Sequence, residues 1–180
     1  MSERKGDWMQ TFMGRQFWPL DPRSDDVHID DIAEPLSKLC RYNGHCEGFY
    51  SVAEHSVLVS LNVPPEMALE GLMHDAAEAY LGDVIRPIKP FLTGLKEIES
   101  KIEKAIAARF GLVYPWPNEV MRVDAAILHD EQLSIMKEPP RKWHLPLPPM
   151  GVNIMCMEHQ AACYLFLKRF EELTRARVDA

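Results

Sequence analysis

Apolar residues recur every three or four positions in six stretches of the chain, which is the spacing of an amphipathic α-helix. The predicted helices cover about residues 29–43, 51–63, 65–81, 94–110, 117–137 and 156–175. In the second, Ser51 followed by Glu54 has the form of a capping box, which favours a helix although β-branched residues leave a strand open for residues 56–63. Short connectors and the lack of a convincing sheet predict an all-α orthogonal bundle of about six helices.

Individual residues mark where two of these helices begin and end. Asp30 or Asp31 can serve near the start of the first helix, and Asn43-Gly44 ends it. Gly82 ends the third helix, and the proline-rich residues 83–90 that follow are predicted to form an extended loop.

Two segments lack helical periodicity. Residues 1–28 are predicted to form an irregular arm, pinned to the body by its aromatic side chains: Trp8, Phe12, Phe17 and Trp18. Residues 138–152 are too rich in proline for a helix or a central strand, and we interpret them as an ordered crossover or lid that Trp143 anchors. Residues 1–180 are therefore expected to form a single domain.

Composition and charge narrow the classes of partner. The formal net charge of -7 and the pI of about 5.5 argue against a nucleic-acid polymer or an anionic membrane surface. No apolar run approaches the roughly 20 residues that span a bilayer. The four cysteines (Cys40, Cys46, Cys156 and Cys163) form no CxxC pair, which is typical of reduced thiols in a cytoplasmic protein.

The chemistry of the chain is concentrated at His74-Asp75, which lies in an apolar, alanine-rich run. Burying such charges is costly unless a partner compensates, and a metal ion is the partner we expect. His55 in the second helix and Asp124 in the fifth are the candidates for the missing ligands. Two imidazoles and two carboxylates suit Mn²⁺, Fe²⁺, Co²⁺ or Zn²⁺ better than Ca²⁺.

The order of these motifs resembles that of the HD-domain metal-dependent phosphohydrolases. The motifs are VAEHS at residues 52–56, MHDAAEAYLGD at 73–83, GDxxxPxK at 82–89 and VDA at 123–125. Within that superfamily the chain is similar to the small bacterial 5′-deoxynucleotidases and to phage enzymes that dephosphorylate deoxyadenylates, including dATP triphosphohydrolases. The resemblance implies an HD-domain bundle in which the four residues named above hold Co²⁺, Zn²⁺ or Mn²⁺, with Mg²⁺ also open.

The same resemblance implies roles for four further residues, and the chemistry of the aromatic side chains adds candidates for base stacking. Glu78 matches the acidic residue that handles the attacking water, and Asp83 matches a second acidic residue of the site. Arg41, which precedes Tyr42, matches a phosphate-contacting arginine, and Lys89 matches a lysine placed to meet phosphates. Tyr42 is a candidate to stack on a base, as are three other aromatic residues: Trp18, Phe49 and Tyr50.

A second His-Asp dipeptide occurs at His129-Asp130. Five residues separate Asp124 from His129, which places them on different faces of a helix, and we interpret this dipeptide as unconnected with the site. Glu131 follows Asp124 by seven residues and could return to the same side. The remaining histidines are interpreted as loop or surface residues: His28, His45, His144 and His159.

The expected function is hydrolysis of deoxynucleoside 5′-phosphates to the deoxynucleoside and phosphate or polyphosphate, with deoxyadenylates favoured by the resemblance. The alternatives are another reaction of the same superfamily, on cyclic nucleotides or alarmones, and a non-catalytic metal-binding helical module. By the same likeness we expect a homo-oligomer in the cytoplasm of a bacterium, or of a bacterial host if a phage encodes the chain.

Overall fold

The computed structural model of the protein describes residues 4–178, and its regular secondary structure is almost entirely helical. The α-helices in this part of the chain are α1 (Asp30–Lys38), α2 (Val52–Asn62), α3 (Ala68–Met73), α4 (Glu78–Leu81), α5 (Leu95–Phe110), α6 (Asn118–Ile135) and α7 (His159–Val178). The only sheet within the described residues is a two-stranded antiparallel pair, β1 (Met9–Gln10) and β2 (Gln16–Phe17). The predicted all-α fold is therefore confirmed.

The main core forms where α1, α2, α3 and α7 pack on one another. Its fully buried side chains include Ile32 and Leu36 of α1, Leu72 of α3 and Phe166 of α7. Burial of such large apolar groups is the dominant favourable contribution to folding. No helix of residues 4–178 is both long and apolar enough to cross a membrane.

The prediction of one continuous helix over residues 65–81 is wrong. α3 ends at Met73 and α4 begins at Glu78, with a turn over residues 74–77 between them. In this turn the amides of Ala76 and Glu78 donate to the carbonyls three residues earlier, at Met73 and Asp75. Such bonds wind the chain more tightly than an α-helix. His74 and Glu78 are therefore not related by one regular α-helical turn.

The first helix is also shorter than predicted. α1 ends at Lys38, and residues 41–44 form a separate 3₁₀ turn in which Tyr42 and Asn43 have φ angles of 57° and 53°. Asp31 does not cap α1, since its carboxylate accepts a hydrogen bond from the Met13 amide at 2.7 Å and pairs with Arg15 at 2.8 Å. The Asp31 carboxylate, which was a candidate for the start of the helix, instead binds the N-terminal arm.

Only one of the four aromatic residues predicted to pin the arm is fully buried. Phe17 stacks on Tyr80 with ring centroids 3.8 Å apart, and Trp18 is half-buried beneath the Arg4 guanidinium. Trp8 and Phe12 are exposed, so neither anchors the arm by burial, although the Phe12 ring centroid lies 4.4 Å from the Lys38 ammonium of α1. Polar contacts such as that of Asp31 supply the rest of the attachment.

The proline-rich segment, residues 138–152, contains neither helix nor strand, as predicted. It is attached to the last turns of α6, because the Asp130 carboxylate accepts hydrogen bonds from the amides of residues 150–152 at 2.7–3.2 Å. In addition, His129 Nδ1 lies 3.1 Å from the Leu147 carbonyl oxygen. The second His-Asp dipeptide therefore holds this segment.

Glu54 attaches the chain that follows this segment. Ser51 accepts from the Glu54 amide at 3.1 Å, as expected for the N-cap of α2. The Glu54 carboxylate does not complete the predicted capping box, because it accepts from the amides of residues 155–157 at 2.7–3.2 Å. Three backbone amides of a stretch without secondary structure gain an acceptor in this way.

Replacing Asp130 with alanine is expected to loosen residues 138–152, because three backbone amides lose their common acceptor. Each unsatisfied group costs about 1–3 kcal/mol when it stays buried. Limited trypsin digestion should then cleave after Arg141 or Lys142 several times faster than in the unmodified protein. The exposed Asp25→Ala is the matched control, and equal cleavage rates in the two variants would contradict the assignment.

Candidate metal centre

Two histidines from different elements face each other in the interior. His55 of α2 and His74 of the turn after α3 are buried, with ring centroids 5.4 Å apart. His55 Nδ1 lies 2.8 Å from a carboxylate oxygen of Glu131, and His74 Nδ1 lies 2.9 Å from the Gly71 carbonyl oxygen. Both neighbours are acceptors, so each Nδ1 carries the proton and each Nε2 of a neutral ring presents a lone pair.

The two Nε2 atoms point toward a pair of carboxylates. His55 Nε2 lies 3.1 Å from Asp124 Oδ1, and His74 Nε2 lies 3.2 Å from Asp75 Oδ2. Neither Nε2 atom has a well-aligned hydrogen-bond partner within the described residues. Lone pairs that face carboxylates inside a protein need a proton or a metal ion between them.

Three of the four predicted ligands form a group with metal-binding spacing. Donor atoms of His55, His74 and Asp124 lie within 4.8 Å of one another, so this group could hold a metal ion. Asp75 lies beside it, 3.7 Å from His55 Nε2, and is also 3.5 Å from the Arg41 guanidinium. Two imidazoles and one carboxylate, with the Asp75 carboxylate beside them, are therefore available to hold a metal ion.

Electrostatic interactions within this cluster favour protonated imidazoles and ionised carboxylates. Burial and Arg41 lower the pKa of His55, but Glu131 and Asp124 outweigh them and raise it to about 9. Burial raises the pKa of Asp75, whereas His74, His55 and Arg41 bring it well below its usual range. Protons on the imidazoles and a metal ion therefore compete for the same Nε2 atoms.

Glu131 is the residue whose importance the sequence indicated least clearly. It is fully buried, and its carboxylate contacts His55 Nδ1, the Arg41 guanidinium at 3.1 Å and the Tyr42 hydroxyl, which donates to it. Burial raises its pKa, but Arg41 and His55 lower the pKa to about 2, so the group is ionised. The available signal in the sequence was that Glu131 follows Asp124 by seven residues, because this spacing places both residues on the same face of a helix.

A cleft of about 520 Å³ opens beside the cluster. Apart from the two buried histidines and three aromatic candidates, every predicted site residue lines it: Arg41, Tyr42, Asp75, Glu78, Asp83, Lys89 and Asp124. Glu78 Oε2 is buried and has no hydrogen-bond partner in residues 4–178, and Lys89 Nζ lies 3.9 Å from Glu78 Oε1. Burial, Asp75 and Asp83 raise the pKa of Glu78 despite Arg41 and Lys89.

The outcome for the aromatic candidates is mixed. Tyr42 lines the cleft, but Trp18, Phe49 and Tyr50 are not among its lining residues, and Tyr50 is fully buried. Two histidines that we interpreted as loop or surface residues, His45 and His144, do line it. Trp143 lines it as well. The proline-rich segment thus contributes to the cleft as well as crossing the surface.

Comparison with known proteins shows relatives of the same length. The uncharacterized protein YfdR of Escherichia coli K12 is 36% identical over 174 residues, which cover 94% of this chain and 97% of YfdR. The chain belongs to the YfdR family. An uncharacterized protein of Rhodobacter capsulatus is 37% identical over 128 residues, covering 66% of this chain and 65% of that relative. No model of a known protein family matches the YfdR-like chain.

Asp124→Asn tests whether the cluster binds metal, because it keeps the side-chain volume and removes one ligand charge. After dialysis against a chelator, added Zn²⁺, Co²⁺ or Mn²⁺ should raise the Tm of the unmodified protein by about 5–10 °C at a hundredfold excess over Kd. The rise should be largely lost in Asp124→Asn and retained in the exposed control Asp25→Asn. An equal rise in both variants would place the ion elsewhere.

Glu131→Gln is expected to weaken metal binding about 10- to 100-fold, the usual effect of removing the partner that orients a ligand imidazole. Gln preserves the shape of the side chain but leaves Arg41 without its buried countercharge. The measurement is a competition titration against a chromophoric chelator, with the exposed Glu66→Gln as control. Metal affinity equal to that of the control would refute the role assigned to Glu131.

Proposed function

We propose that the protein is an HD-domain phosphohydrolase that uses a divalent metal ion to remove phosphate or polyphosphate from deoxynucleoside 5′-phosphates. The observation that supports this most strongly is the meeting of two kinds of group in one cleft. A histidine and carboxylate cluster of metal-binding spacing adjoins two cationic side chains, Arg41 and Lys89. Acidic and basic groups in this arrangement suit an anionic substrate whose phosphorus must be attacked by water.

Arg41 is held in position to bind a phosphate. Its guanidinium lies 3.5 Å from Asp75 and 3.1 Å from Glu131, and its side chain is mostly buried at the cleft wall. The two carboxylates fix the guanidinium, which leaves its fork-like donors little freedom to lose when a phosphate binds. Lys89, beside Glu78 and Glu99, adds a second positive charge.

Glu78 and Asp83 are the groups proposed to move protons. Burial raises the pKa of both carboxyls, and each gains further from neighbouring acidic groups. A carboxyl whose pKa is raised toward neutrality accepts a proton from water and returns it more effectively than a fully exposed one. The unpartnered Glu78 Oε2 offers the acceptor atom for a water in the cleft.

The reaction is a displacement at phosphorus. The water oxygen forms a bond to phosphorus, the bond from phosphorus to the sugar 5′ oxygen breaks, and the proton lost by the water reaches Glu78 or Asp83. A divalent ion held by the four candidate ligands would supply a Lewis acid that polarises a phosphoryl oxygen. The carboxyl that received this proton returns it to the departing 5′ oxygen, so that the products are the deoxynucleoside and phosphate or polyphosphate.

The substrate class rests on the size of the cleft and on the motif resemblance. A volume of about 520 Å³ lies within the range of roughly 300–1,000 Å³ that is common for small-molecule sites. The resemblance to deoxynucleotidases favours deoxyadenylates up to dATP and favours Co²⁺, Zn²⁺ or Mn²⁺ over Mg²⁺. It also favours a homo-oligomeric, cytoplasmic enzyme.

The test is product analysis of dAMP, dADP and dATP with each of these metals, which separates a monophosphatase from an enzyme that releases intact triphosphate. Glu78→Gln should lower kcat about 10²- to 10⁴-fold, since it removes a proton acceptor. Its metal affinity should stay close to that of the Glu66→Gln control. Lys89→Ala should raise KM for the nucleotide.

Two outcomes would overturn the proposal. Phosphate release only from cyclic nucleotides or guanosine polyphosphates would assign another reaction of the superfamily. Intact metal binding with no turnover of any nucleotide would leave a non-catalytic metal-binding module.

A further inference from the structure

One wall of the cleft comes from the proline-rich segment. Residues 143–145 line the same cavity as Arg41 and Lys89, although they are far away in sequence. Their side chains are an indole, an imidazole and an aliphatic group, so this wall carries little charge. The phosphate chemistry proposed above does not use it.

The Tyr42 ring connects Arg41, the proposed phosphate-binding residue, to this wall. The Arg41 guanidinium lies 5.6 Å from the Tyr42 ring centroid, and the Tyr42 and Trp143 ring centroids are 6.3 Å apart. Tyr42 is held in place, since its hydroxyl donates to the buried Glu131. In a nucleotide the sugar lies between the phosphate and the base. The fixed Tyr42 ring likewise lies between Arg41 and Trp143.

The Trp143 ring lines the cleft without stacking on Tyr42. It is tilted 50° from Tyr42, so the two rings are not stacked, and the side chain is 37% exposed. A second cavity of about 430 Å³ lies beside the first, and Trp143 lines both, together with His45 and Met136. A planar ligand therefore has access to an indole face from the cleft.

The indole is placed by a segment that has no secondary structure of its own. Residues 150–152 are held by Asp130, and Leu147 is held by His129. Prolines limit the freedom of the intervening chain. The second His-Asp dipeptide, which the metal cluster does not use, thus has a role in positioning this wall.

We propose that Trp143 is the stacking platform for the nucleobase of the substrate, positioned by the contacts of His129 and Asp130 with the proline-rich segment. The inference rests on the proposed function for the phosphate end of the same ligand. Indole is the aromatic side chain with the largest face, and base stacking on such a face needs no particular hydrogen-bond pattern. The chemical class recognised is a planar heterocyclic base joined to a sugar phosphate.

The first experiment compares dAMP with deoxyribose 5-phosphate, which has the same sugar and phosphate but no base. In Trp143→Ala, kcat/KM for dAMP should fall about tenfold to a hundredfold, the range for loss of one stacked base. With deoxyribose 5-phosphate the fall should be much smaller. Trp8→Ala, which removes a similarly exposed indole from the arm, is the matched control.

An equal loss of kcat/KM with both substrates, or no loss with either, would refute the assignment of Trp143 as the base-stacking residue. Trp143→Phe keeps an aromatic face and should recover most of the dAMP activity. Asp130→Ala should share the selective loss for dAMP, as a positioning residue would, and an equal loss on both substrates would assign Asp130 a general structural role only.

A binding measurement separates this inference from the proposed reaction. Deoxyadenosine, which carries no phosphate to release, is titrated into the metal-loaded protein while tryptophan emission is recorded. Emission should change on binding, and the change should disappear in Trp143→Phe but remain in Trp8→Phe. That result without turnover of any nucleotide would refute the proposed reaction and support the base site. The base site would be refuted if the emission change persisted in Trp143→Phe, or if the unmodified protein showed no emission change.

Discussion

The structure of the cleft depends on one buried carboxylate, that of Glu131. An ionised group in the interior is tolerated only when donors replace water, and Glu131 has three: His55, Arg41 and Tyr42. These donors come from α2 and from the 3₁₀ turn of residues 41–44, so the carboxylate holds both against α6. It also sets which nitrogen of His55 faces the cluster and where the Arg41 guanidinium lies. The candidate metal site and the proposed phosphate site are therefore linked through a single side chain.

Both parts of the site lie where regular structure is interrupted. The turn over residues 74–77 separates α3 from α4 and carries His74 and Asp75, while Tyr42 and its neighbour Asn43 adopt positive φ angles that side chains disfavour. Such conformations cost on the order of 1–3 kcal/mol each and persist only when the surroundings over-determine them. The Glu131 contact of Tyr42 is an interaction of this kind. A regular helix through either stretch would not present the same side chains to the cleft.

These interruptions explain how much of the fold and of the candidate site could be predicted from the sequence. Periodicity located most of the helices because each buries an apolar face, and His55, His74 and Asp124 were found because ionisable side chains stand out in apolar runs. The break after Met73 was missed, since the alanine-rich run favours a helix and only tertiary packing tightens it. Glu54 matched a local capping pattern, but its carboxylate serves a segment about a hundred residues away. Trp143 belongs to a segment with no period, so no pattern could place it in the cleft.

Helix α6 determines how these parts are spaced. Asp124 and Glu131 are seven residues apart and face the same way, toward the cluster, whereas Asp130 points to the proline-rich segment. A candidate metal ligand, the carboxylate that holds Arg41 and the anchor of the segment bearing Trp143 thus sit within two turns of one helix. Because a helix is stiff over that length, the proposed metal, phosphate and base sites keep their spacing and move together. A change that shifts α6 would move all three, and this is why substitutions that disturb only one of them are the informative ones.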